Sequence, residues 1–144
     1  MRLAPLALSA VAASLAVIAQ AAPVPHVIPI VINCTGPVVA QGHRIARENG
    51  LKSGQDSKAC FGRMHFPGDG AAYLAVSVPS PRCPRGTALD VYGQANSGNW
   101  GSYFETPVCG STISIGPKNQ WGADMLTIDG RHYDQRGGHY VLVN

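Results

Sequence analysis

Acidic residues are scarce in this chain, with two glutamates and six aspartates among 144 residues, and several catalytic signatures are missing altogether. The G-x-S-x-G elbow, H-E-x-x-H, a Walker loop and the dinucleotide-binding glycine fingerprint are all absent, which removes the common serine hydrolases, zinc proteases, nucleotide hydrolases and Rossmann enzymes from consideration. No C-x-x-C pair occurs, so the cysteines do not have the spacing of a tetrahedral zinc or dithiol redox centre. The five histidines include no close pair with ligand spacing, and neither a metal nor another cofactor is expected. Net charge is only +3, and the basic residues are scattered rather than drawn into a stripe with interleaved aromatics, so no nucleic-acid partner is expected.

What the chain does have begins at its start. Arg2 precedes an almost unbroken Ala, Leu, Val and Ile run from Leu3 to Ile18, and Ala19-Gln20-Ala21 has the small-x-small pattern of a signal peptidase site. The apolar run is short of the roughly 20 residues that span a bilayer, and no basic stop-transfer cluster follows. The reading is a signal peptide over 1–21 and a secreted, extracellular domain over 22–144, with no membrane association after cleavage. That remaining length suits one domain with one hydrophobic core, and a monomer is expected.

Cys34, Cys60, Cys83 and Cys109 all lie in the secreted part, spaced 26, 23 and 26 apart. An even count in an oxidising compartment predicts two disulfides, with three connectivities open. Each bridge is expected to contribute about 3 to 5 kcal/mol by restricting the unfolded chain.

Dense Gly and Pro punctuation separates short β-branched and aromatic segments. This pattern predicts an all-β domain: a single small sandwich or barrel of antiparallel strands, with at most one short helix and two disulfides. Strands are expected over 26–33, 59–66, 72–78, 88–92, 102–106, 112–115, 125–128, 131–133 and 139–143. In 72–78, alternation assigns Ala72, Leu74, Val76 and Val78 to the core and Tyr73, Ala75 and Ser77 to the outside. Pro29 marks an edge strand. Asp129-Gly130 has the chemistry of a type I′ hairpin turn, and Pro67-Gly68-Asp69-Gly70 marks another reversal. The single helical candidate is Val39 to Asn49, stopped by Asn49-Gly50 and weakened by Gly42.

Two loops stand out as candidate partner-binding surfaces. Pro79 to Arg85 combines three prolines, a disulfide-forming Cys83 and two arginines, Arg82 and Arg85, in a stiff frame; a rigid extended segment of this kind suits a protease-blocking loop. The bland alternative is a stapled surface connection. The polar loop Gly93 to Gly101 ends in Trp100, with Tyr103 and Phe104 behind it, and Trp121 stands in a similar polar setting; such aromatics anchor a protein or stack on a sugar unless they turn inward to the core. Glu105, with His132 and Arg63 or Arg131, is a set that suits metal-independent ribonuclease chemistry, against the simpler reading of an outward strand residue. Asn33-Cys34-Thr35 is the only N-x-S/T sequon and a candidate glycosylation site.

The export signal, small size, paired cysteines, β pattern and missing catalytic signatures together resemble the small secreted effector proteins of plant-associated filamentous fungi. The resemblance is one of organisation and carries over no residue. It implies a virulence-type or host-interaction protein that acts outside the producing cell or inside the host, inhibition of a secreted host protease being one mode; from the missing signatures, binding of a host protein rather than enzymatic activity is expected. Val38 to Gly42 does not reproduce the Q-x-V-x-G signature of cystatins. A secreted ribonuclease and a carbohydrate-binding module are the alternative classes.

Overall fold

In the computed structural model, the described residues are 21 and 26–143, so all but the last residue of the expected signal peptide lies outside them. In chain order the elements are β1 (Ile28–Pro29), α1 (Pro37–Glu48), a 3-10 turn (Ser53–Gln55), β2 (Cys60–Met64), β3 (Tyr73–Pro79), β4 (Thr87–Gln94), β5 (Trp100–Ser102), β6 (Val108–Cys109), β7 (Ile113–Lys118), β8 (Asp124–Ile128), β9 (Arg131–Arg136) and β10 (His139–Val143). The first sheet runs β2-β3-β4-β5, with β6 also pairing with β4; the second runs β1-β7-β8-β9-β10. Every pairing is antiparallel. The expected all-β class with one helix and two disulfides holds, the bridges being Cys34–Cys60 and Cys83–Cys109.

The layers are helix, first sheet, second sheet. Between the sheets lie Met64, Phe66, Ala75, Leu89, Val91, Phe104, Ile113, Ile115, Leu126 and Ile128, joined by Tyr133 and Tyr140. Between α1 and the first sheet lie Ile45, Ala46, Ala59, Phe61, Leu74, Val76 and Tyr92. The first sheet is therefore covered on both faces, which corrects the outward placement of Ala75: it is fully buried against the second sheet, while Leu74 and Val76 face the helix. A strand buried on both sides loses the apolar-polar alternation on which that assignment rested.

Pro37 opens α1 at its first position, where its missing N–H is no loss. Gly50, at φ +67, closes it, with Leu51 N–H donating to Ala46 O at 2.8 Å. Gly42 weakens the helix by propensity yet is what lets it dock: a Cβ there would lie 2.3 Å from the ring of buried Phe61.

Three turns match their chemistry. Asp129 and Gly130 both take positive φ between paired Ile128 and Arg131, as a type I′ turn requires. Gly137 and Gly138 repeat the device between Arg136 and His139, extending β9 and β10 into a hairpin longer than the sequence suggested. Asp69 caps the 67–70 reversal by accepting from Ala71 N–H and Tyr73 Oη–H. As expected, Pro29 sits on an edge strand.

Candidate functional site

The expected strand over 102–106 ends at Ser102. β4 is lined on one edge by two short strands, β5 beside Tyr92–Gln94 and β6 beside Ala88–Leu89; after a last bond from Tyr103 N–H to Val91 O at 2.8 Å, residues 104–107 arch away between the two strands. Asp90 occupies that gap. Its carboxylate accepts from Ser102 Oγ at 2.6 Å, Ser53 Oγ at 2.9 Å, Val91 N–H at 2.8 Å and the amide of Phe104. It thus stands in for the missing strand partner and ties the arch to the turn that follows α1. Burial pushes this carboxyl above its ordinary range, outweighing the four donors that favour its charge. Beside it the Tyr92 hydroxyl accepts from Gly54 N–H at 2.6 Å and bonds Ser53 Oγ at 2.5 Å.

Above this polar floor opens a cleft of about 640 Å³. Leu51, Val78, Pro79 and Pro107 contribute apolar walls, and Lys52, Asp56 and Glu105 are exposed at its rim. Glu105 is thus a cleft residue rather than a strand residue. His132 lies elsewhere, on the outward face of the second sheet, where its Nδ1 is 2.9 Å from Thr127 Oγ1. Arg63 is on β2, bonded to Gln41, and Arg131 is on β9. The structure does not gather these four into one site, and among the described residues no three metal-ligating side chains cluster.

The Pro79 to Arg85 loop is rigid, but it is not the extended segment expected. Cys83 N–H donates to Ser80 O at 3.1 Å and Gly86 N–H to Cys83 O at 2.9 Å, making two successive turns with Pro81 and Pro84 each at the second position, which their fixed φ suits. The Cys83–Cys109 bridge staples the loop to β6. Arg85 is engaged, 3.1 Å from Ser111 Oγ and 3.8 Å from the Asp129 carboxylate. Arg82 is exposed and has no side-chain partner among the described residues.

The three candidate aromatics do not share a face. Trp100 packs against the helix layer, its amide held by Asn49 Oδ1 at 3.0 Å. Tyr103 packs toward the inter-sheet core, in a chain of rings with Tyr73 and Tyr140. Trp121 is 72% exposed at the tip of the β7–β8 hairpin. That tip is fixed: Asn119 Oδ1 accepts from Trp121 N–H and Ala123 N–H, each at 3.0 Å, and Asn119 Nδ2 donates to buried Asp134. Asn33 is exposed, its backbone paired with Phe61 next to the Cys34–Cys60 bridge.

Sequence reading missed the cleft floor. Asp90 and Tyr92 are residues of one strand, and Ser53 and Ser102 come from segments whose meeting no local pattern announces. No helix among the described residues is long and apolar enough to cross a membrane. No family model, curated protein or solved structure matches the chain.

Proposed function

We propose that this chain is an exported, effector-type protein that acts by binding a host protein outside the producing cell, with inhibition of an extracellular host protease as its specific mode. The observation that carries the reading is Trp121, a large apolar side chain 72% exposed on a hairpin tip held rigid by Asn119. Asn119 orders the backbone that carries Trp121, so this segment loses little freedom on binding, and an exposed Trp offers the large contact area of residues that dominate interface energetics. Arg82, exposed on a loop whose backbone is fixed by two proline turns and a disulfide, offers a second contact.

The protease version is tested by activity-based labelling of serine and cysteine proteases in host extracellular fluid. Labelling of one enzyme class is expected to fall as the oxidised protein is added, and to fall less with the Arg82→Ala protein. Labelling unchanged by the wild-type protein at saturating amounts contradicts inhibition.

A further inference from the structure

The 640 Å³ cleft lies between the turn after α1, the end of β3 and the arch after β5, and meets the Pro79 to Arg85 loop only at Pro79. Its walls and its rim differ in chemistry. Leu51, Val78, Pro79 and Pro107 present an apolar channel, and the two prolines stiffen it. Around and beneath that channel stand Asp56, Glu105 and Asp90 against a single cation, Lys52. In a chain of net charge +3 holding only eight acids, this concentration gives the cleft a sign opposite to that of the whole molecule.

Neither Asp56 nor Glu105 forms an ion pair among the described residues, although four ion pairs form elsewhere. Asp56 accepts one hydrogen bond, from Lys58 N–H. The floor is already shaped, because the bonds of Asp90 and Tyr92 to Ser53, Gly54 and Ser102 fix both the turn and the arch.

We propose that this cleft receives a basic side chain, arginine or lysine, from the protein partner, its methylene stem along Leu51, Val78 and Pro107 and its charge between Asp56 and Glu105. Long cationic side chains commonly bury their stem on apolar surface while the charged head stays at the rim. The inference rests on the reading of the chain as a protein-binding domain, and identifies one feature its partner must carry.

The test is an amide-shift titration of the isotopically labelled secreted protein, both disulfides intact, with N-acetyl-arginine methylamide and with its uncharged citrulline counterpart. Saturable shifts are expected at Ser53, Glu105 and Thr106 with the arginine probe, and binding weaker by about threefold to tenfold in the Asp56→Asn, Glu105→Gln protein. No shift at these residues, or equal binding of the citrulline probe, overturns the proposal. Partner capture undiminished in the double variant also overturns it while leaving the protein-binding reading intact. Failure of the wild-type protein to capture any partner removes both.

Discussion

Ser102 Oγ lies 2.6 Å from Asp90 Oδ1, and through this contact the end of β5 is tied to the middle of β4 where the strand ladder is interrupted. The same carboxylate reaches Ser53 across 37 positions of sequence, so one buried side chain sets the relative positions of the arch and the turn that make the cleft.

Removing the Asp90 side chain takes the acceptor from the Val91 and Phe104 amides and one of two partners from Ser53 Oγ and Ser102 Oγ, and an Asp90→Ala protein is expected to lose about 2 to 3 kcal/mol of stability in urea unfolding. A loss below about 0.5 kcal/mol would show that the network positions nothing.

Charge and stability are linked at this residue in a defined direction. The folded carboxyl sits above its ordinary 3.8, so its favourable contribution is complete below that value and is lost as pH rises through the folded value. Asp69 and Asp129 run the other way. The Tyr73 hydroxyl and Ala71 amide hold the Asp69 carboxyl low; at Asp129 burial opposes the charge, but the donors of Thr112 and Ser111 prevail. Both contributions are present above 3.8 and are lost as pH falls through the lowered values. Of the groups facing Asp90, the Tyr92 hydroxyl is raised by burial and stays neutral in acid, while Lys52, Asp56 and Glu105 line the same cleft. Thermal unfolding followed between about pH 3 and 7 is expected to show a component falling with pH in the wild type and absent in Asp90→Asn. Parallel curves would contradict the assignment.

Gly42→Ala separates helix propensity from packing. In isolation the change favours the helix by up to about 1 kcal/mol. Here the new Cβ meets the Phe61 ring at 2.3 Å in a fully buried layer, so a net destabilisation of about 1 to 3 kcal/mol is expected in urea unfolding. Stabilisation would mean that α1 lies further from β2 than described.

Each disulfide joins cysteines 26 positions apart. A Cys83→Ser, Cys109→Ser protein is expected to lose about 2 to 5 kcal/mol and to expose the Pro79 to Arg85 loop to limited proteolysis. Loss of stability with an equally resistant loop would place the rigidity in the two proline turns alone.

The legible part of this fold was local. Asp-Gly at 129–130, Asn49-Gly50 after the helix and Pro29 at an edge each state a backbone requirement within a few residues. Ala75 was misassigned because its burial depends on a second sheet packing from the far side, which no strand carries in its own alternation. Glu105 was placed in a strand because its neighbours are aromatic, whereas Phe104 is drawn into the inter-sheet core against Tyr133 and Tyr140 and turns the chain out of the ladder. Trp100, Tyr103 and Trp121 were legible as aromatics in polar settings, but which of them turns inward is decided by α1 and by the inter-sheet rings.

The most direct measurement compares wild-type and Trp121→Ala proteins in quantitative capture from host extracellular fluid, with urea unfolding run on both. Because Trp121 is exposed, stability is expected to agree within about 0.5 kcal/mol. Capture of the partner is expected to fall more than about tenfold. Equal capture by two equally stable proteins would contradict the account of the hairpin tip as the contact on which binding depends.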